Sequence, residues 1–134
     1  MKPVVVVTDD RPGLLGDISY ILSKSGIAID GVDVDLIGSK TILSISVRDP
    51  KKAKGVLENN GYSAMELDAI VIKVTDRLKS FAEILRMLEK KKVHVEDYSE
   101  ITSDDNNGIF ALTVNKKRKA SRLLGDFMVG SIPG

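Results

Sequence analysis

Val4-Val5-Val6-Val7-Thr8-Asp9-Asp10-Arg11-Pro12-Gly13-Leu14-Leu15-Gly16 is the stretch whose reading decides the fold. Four consecutive valines are β-branched and uninterrupted, which predicts a short, buried central strand over Pro3 to Thr8. The apolar period then changes: Leu14, Leu15, Ile18, Ile21 and Leu22 recur at helical spacing. The intervening turn therefore opens a helix. Pro12 fixes its own φ and suits the first helical position. Gly13 and Gly16 have no Cβ, so a ligand or another backbone can come close. A helix N-terminus presents N–H groups and roughly half a positive charge, which favours a carboxylate or phosphate. Asp10 adds an acceptor able to hold an ammonium group. N–H groups for an anion and a carboxylate for a cation suit a zwitterion such as a free amino acid. The plain alternative is a strand-to-helix turn that binds nothing.

Lys24-Ser25-Gly26 ends the helix, with Gly26 just past its last turn. Ile27 to Ile37 reads as a second strand whose apolar phase slips by one residue, from Ile27 and Ile29 to Val32, Val34 and Leu36. The slip predicts a bulge at Asp30-Gly31. Gly38-Ser39-Lys40 makes a hairpin turn into a third strand, Thr41 to Val47. Asp49 is the expected N-cap of a second helix, with Pro50 at its first position and Asn60-Gly61 closing it. Tyr62 to Met65 gives a fourth strand. The order β-α-β-β-α-β is the ferredoxin-like unit.

The unit then recurs. Asp10-Arg11 returns as Asp76-Arg77, an offset of 76 − 10 = 66, and Ile18, Leu22, Ile27 and Ile29 meet Ile84, Leu88, Val93 and Val95 at that offset. Leu43 and Val47 meet Phe110 and Val114 one residue later, at 67. Two copies of one unit are expected, 1–66 and 67–134. The second copy's first strand is expected over Leu67 to Thr75 and its long helix over Lys79 to Lys91. Its hairpin is expected over Val93 to Ile101 and Gly108 to Val114, and its last helix over Lys117 to about Phe127. Met128 to Ile132 leaves room only for a short or missing fourth strand. The fold class is α+β: two βαββαβ units, each an antiparallel sheet with helices on one face. The second loop, Asp76-Arg77-Leu78-Lys79-Ser80, has lost Pro and Gly. It reads as a degenerate copy, with the first loop as the working one.

Composition narrows the function. The chain has 134 residues, 43% hydrophobic and 29% charged, enough for packed cores and against disorder. A formal net charge of +1 gives no bulk electrostatic case for nucleic acid or acidic membrane. There is no cysteine, which removes disulfides, thiolate metal sites and a cysteine nucleophile. With one histidine and no clustered carboxylates, no metal site, cofactor or catalytic residue is expected. Asp104-Asp105-Asn106-Asn107 lacks calcium-loop spacing and reads as a solvated hairpin tip. Aromatic content of 4% and aliphatic central strands argue against base stacking. Lys116-Lys117-Arg118-Lys119 is a basic helix start, read as solvated rather than as a nucleic-acid contact. No apolar run approaches the ~20 residues of a membrane span, and Met1-Lys2-Pro3 shows no signal-peptide pattern. A cytoplasmic location is the expectation.

Strand, Asp-Arg-Pro-Gly-Leu-Leu-Gly-Asp-Ile, then a helix ending in Ser25-Gly26-Ile27 resembles the signature of ACT domains, small βαββαβ regulatory modules that bind amino acids and other effectors. The match covers residues 3 to 66 well; 69 to 132 match in layout. The resemblance implies an effector at the interface of two such domains, which pair through their second strands. The loop of one, here Asp10, Arg11, Pro12, Gly13, Leu14 and Leu15, then faces the second strand of the other. The asparagine that amino-acid-binding members often carry near the start of that strand is Ala28 in the first copy and His94 in the second.

A three-residue linker spans roughly 10 Å. Side-by-side pairing within one chain would have to cross six strand positions, nearly ~30 Å at ~4.8 Å per strand. The expectation is therefore a homodimer or higher homo-oligomer, regulating an enzyme or transcription factor on a separate chain. The rival readings are an interaction module without a small-molecule ligand and, more weakly, a nucleic-acid-contacting ferredoxin-like pair.

Overall fold

The computed structural model describes residues 3–76 and 79–129, which form two compact units, Met1–Asp68 and Ala69–Gly134. In the first, the order is β1 (Pro3–Asp9), α1 (Leu14–Lys24), β2 (Ile29–Ile37), β3 (Lys40–Val47), α2 (Pro50–Asn59) and β4 (Ser63–Glu66). The sheet runs β2-β3-β1-β4 and every pairing is antiparallel. Helix α1 buries Leu14, Ile18 and Leu22, one stripe at i, i+4 and i+8, against Val4 and Val6 of β1 and Leu43, Ile45 and Val47 of β3. Ala53 and Leu57 of α2 and Ala64 of β4 close the same core.

Both helices end as the glycines require. Gly26 sits at φ 74°, its N–H bonds the Ser23 carbonyl, and the Ile27 N–H bonds the Leu22 carbonyl. Gly61, at φ 87°, repeats the pattern with Glu58 and Leu57. Asp49 caps α2 through its carboxylate and the Lys52 N–H at 3.1 Å, with Pro50 following. The register of β2 on β3 jumps between Ile29 and Gly31, the bulge read from the sequence. It lets Ile29 and Val32, three apart, both pack against the core.

The second unit runs β5 (Ile70–Val74), α3 (Lys79–Lys90), β6 (Val95–Ser103), β7 (Gly108–Val114) and α4 (Lys117–Leu123), with sheet order β5-β7-β6. Phe81, Ile84 and Leu88 of α3 pack on Ile70, Ile72, Val74, Phe110 and Leu112. Here Lys92, not glycine, takes the left-handed position (φ 65°), and Val93 bonds back to the Leu88 carbonyl as Ile27 does to Leu22.

Several expected boundaries move. The strand expected over Leu67 to Thr75 is shorter, because the Leu67 N–H still bonds the Pro3 carbonyl of the first unit's ladder. Strands β2 and β6 begin two residues late, since Ile27 and Val93 spend their N–H groups closing the preceding helix. Helix α4 stops at Leu123 rather than near Phe127. Gly125, conformationally costly inside a helix, gives way to a 3-10 turn over Gly125–Phe127. Of the short fourth strand, one bridge is formed, Ile72 to Met128, backed by the Val129 N–H on the Val71 carbonyl. Gly130 to Ile132 lie outside the described residues, as do Arg77 and Leu78 of the second loop.

Candidate functional site

Pro12 is not the first helical residue. The Leu14 N–H bonds the Arg11 carbonyl at 3.4 Å, and Gly13 lies at φ 79°, ψ 3°. Those angles are the ones a type II turn needs at its third position, with Pro favoured at the second. Arg11-Pro12-Gly13-Leu14 is therefore a tight turn, and Gly13 becomes the N-cap of α1. No side chain caps this helix, and its first intrahelical bond runs from the Asp17 N–H to the Gly13 carbonyl. The Leu15 and Gly16 amides precede that bond and have no acceptor within the helix.

Leu15 and Gly16 line a cleft of about 360 Å³. Its walls include Asp10, Gly13, Leu15 and Gly16 from the loop, and Val34, Leu36, Thr41 and Leu43 from β2 and β3. Val34 pairs with Leu43 and Leu36 with Thr41, so the strand residues stand in register on one face. Leu15, Val34 and Leu36 are 44%, 43% and 51% exposed, an apolar rim on an otherwise charged surface.

The Asp10 carboxylate is held in place. Its Oδ1 accepts from the hydroxyl of Thr41 at 2.9 Å, and its N–H donates to the Ser39 carbonyl at 3.0 Å. Thr41 is the one buried polar residue among those described, 3% exposed. Arg11 turns elsewhere: its guanidinium bonds Asp17 at 2.7 Å and the Tyr62 hydroxyl at 2.6 Å. The hydrogen bond to Asp17 holds the Arg11 pKa above its ordinary value. The pairing also offsets the acidic charge of Asp17, which lies in the first turn of α1 beside the free amides. Beside the loop, Lys40 bonds Asp9 at 2.7 Å and lowers the pKa of that carboxyl.

Of the residues marked in the sequence, Asp10, Arg11, Gly13, Leu14 and Leu15 line this cleft and Pro12 shapes its turn. Ala28 does not join them within the unit. It is exposed and precedes β2, whereas the cleft takes Val34 and Leu36 from that strand's other end. Six steps along the chain (34 − 28 = 6) separate Ala28 from Val34, roughly 20 Å in extended conformation. His94 occupies the same place before β6, its N–H on the Asn115 side chain at 2.8 Å. Gly16, marked in the sequence as open to a ligand's approach, also lines the cleft, whereas sequence reading missed Val34, Leu36, Thr41 and Leu43 as cleft residues. The available signal was the pair Val34 and Leu36, apolar positions alternating with Asp33 and Asp35 on an edge strand.

The second unit differs at the matching positions. Leu15 and Leu43 become Phe81 (81 − 15 = 66) and Phe110 (110 − 43 = 67), whose rings stack at 4.1 Å between centroids. Thr41 becomes Gly108 (108 − 41 = 67), and Asp76 adopts φ 54°. Lys79 and Ser80, the counterparts of Gly13 and Leu14, are both inside α3.

No family model and no curated protein matches the sequence. Solved structures do match the fold. A protein from Bacteroides thetaiotaomicron aligns with a TM-score of 0.52 and 20% identity over 93% of this chain and 86% of its own. The ligand-free regulatory subunit of aspartate kinase from Thermus thermophilus gives 0.51 and 16% over 93% and 91%. The same subunit from Thermus flavus gives 0.51 and 16% over 93% and 90%. The two Thermus proteins are ACT-domain regulatory proteins, and at this identity the likeness is one of fold. No helix among the described residues is long and apolar enough to cross a membrane.

Proposed function

We propose that this chain is a non-enzymatic regulatory protein whose first unit binds a small effector, an amino acid, in the cleft at the start of α1. The observation that carries the reading is that the uncapped start of α1 and the Asp10 carboxylate line one apolar cleft. Uncapped amides of Leu15 and Gly16 suit the effector's carboxylate. The Asp10 carboxylate, fixed by Thr41 at 2.9 Å, suits its ammonium group. Leu15, Val34, Leu36 and Leu43 suit an apolar side chain. The regulatory fold shared with the aspartate kinase subunits supports the same reading.

The protein assembles at least as a homodimer. The second strand of each unit, β2 or β6, is a sheet edge and can pair with another copy. Such a pairing brings Ala28 or His94 of the neighbouring second strand toward the loop, and the regulated enzyme or transcription factor is a separate chain in the cytoplasm. Light scattering that finds only monomer removes the assembly.

The effector is tested by a thermal-shift screen against the twenty amino acids. A ligand that binds only the folded form adds ~2.7 kcal/mol of stability at a hundredfold excess over its dissociation constant. A selective upward shift, lost in Gly13→Val, is expected. No shift with any amino acid overturns the reading in favour of an interaction module.

A further inference from the structure

A second recess, in the other unit, carries chemistry that the effector cleft does not use. It is about 250 Å³ in volume and lies between α3 and the start of β6, lined by Leu85, Glu89, Val93, His94, Val95 and Tyr98. Leu85 and Glu89 share one face of α3 at i, i+4. A register shift between Val95 and Asp97 places Val95 and Tyr98 opposite Val114 and Leu112, so that both turn toward the helix. Tyr98 is fixed by its edge-to-face contact with Phe81, 5.1 Å between centroids. Neither the Glu89 carboxylate nor the His94 ring has a hydrogen-bond or ion-pair partner among the described residues.

The first unit provides an internal control. At an offset of 66 the same six positions are Ser19, Ser23, Ile27, Ala28, Ile29 and Val32, with no charged or aromatic side chain among them. The shared fold therefore does not require Glu89, His94 or Tyr98 at this seam.

We infer that this recess binds a primary alkylammonium group. Such a group offers three N–H donors. The Glu89 carboxylate, a ring nitrogen of His94 and the Tyr98 hydroxyl are three acceptors able to take them, with Glu89 supplying the opposite charge. Leu85, Val93 and Val95 form the apolar wall for the attached hydrocarbon. His94 is also the residue that strand pairing would bring toward a loop, so Glu89→Gln, which lies outside the effector reading, is the variant that tests this recess alone.

The test is an amide NMR titration of the full chain with n-butylamine, against n-butanol and butyrate as isosteric controls. Saturable shifts at Glu89, His94, Val95 and Tyr98 with the amine alone are expected. Glu89→Gln, at an exposed position, should weaken binding by about tenfold or more, the scale of one charge-assisted hydrogen bond. A lysine blocked at both its backbone ends separates the two sources of such a group. Tighter binding than butylamine assigns a lysine side chain of a partner, and weaker binding assigns a free amine. No saturable shift at these residues, equal affinity for n-butanol, or wild-type affinity in Glu89→Gln overturns the inference.

Discussion

The loop of the first unit and its counterpart in the second start from the same Asp-Arg pair and end differently. In the first, Pro12 and Gly13 fold a tight turn before an uncapped helix start that lines a cleft. In the second, Lys79, the residue matching the N-cap Gly13, is already helical, and Phe81 and Phe110 stack where the first unit has Leu15 and Leu43 on the cleft wall. The hydroxyl that fixes Asp10 has no equivalent at Gly108. A repeat can thus keep three of its strands, its helix spacing and its core while a handful of substitutions reshape one end of one helix.

The largest expected effect comes from emptying the aromatic stack. Phe110 is 7% exposed and stacked on Phe81. Phe110→Ala should cost about 3–5 kcal/mol in urea denaturation. It should leave amino-acid binding by the first unit intact. A matching loss of binding would mean that the two units do not act separately.

A smaller and more diagnostic change exploits the helix ends. Gly26 and Lys92 hold the same left-handed position, at φ 74° and φ 65°. Gly26→Ala should destabilise by roughly 1 kcal/mol, and Lys92→Gly should stabilise by a similar amount. Equal signs in thermal melts would break the equivalence of the two units.

Gly16→Ala separates stability from function. A Cβ at Gly16 meets nothing within 4 Å and the residue is helical, so alanine should add about 0.5–1 kcal/mol. The added methyl faces a residue position that lines the cleft, so effector affinity should fall while the melting temperature rises. A variant that gains both would remove Gly16 from the site.

The smallest effect is pH dependence at the loop's edge. The Lys40 hydrogen bond depresses the Asp9 pKa, with the lysine charge adding to it. Its contribution is present above the unfolded carboxylate pKa and is lost as pH falls through the lower folded value. Both groups are exposed, so the increment is small. An NMR titration should show Asp9 returning toward its ordinary value in Lys40→Met.

Much of this was legible in the sequence because it is local or periodic. Helical spacing from Leu14 to Leu22, the glycines after each helix of the first unit, and the phase slip at Asp30 each carry their own signal. The repeat offset then supplied the second unit's layout. What the sequence did not show depends on distant residues meeting. The grip of Thr41 on Asp10 spans thirty-one positions and follows from the β1–β3 register. The turn of Arg11 toward Tyr62 spans fifty-one. Pro12 lies two residues before the helix it was expected to open (14 − 12 = 2), because proline suits both a helix start and the second position of a type II turn, and Gly13 decides between them. The exchange of Leu15 and Leu43 for Phe81 and Phe110 was visible as letters. Its meaning required knowing that the two positions adjoin.

The most direct test of the central claim is amide chemical-shift mapping of the full chain titrated with the twenty amino acids, one at a time. The account predicts that the binding amino acid shifts Gly13, Leu15, Gly16, Val34 and Thr41. It predicts no comparable change at Lys79, Ser80 and Phe81. Shifts centred on α3's first turn, with the Gly13 to Gly16 amides unmoved, would contradict it.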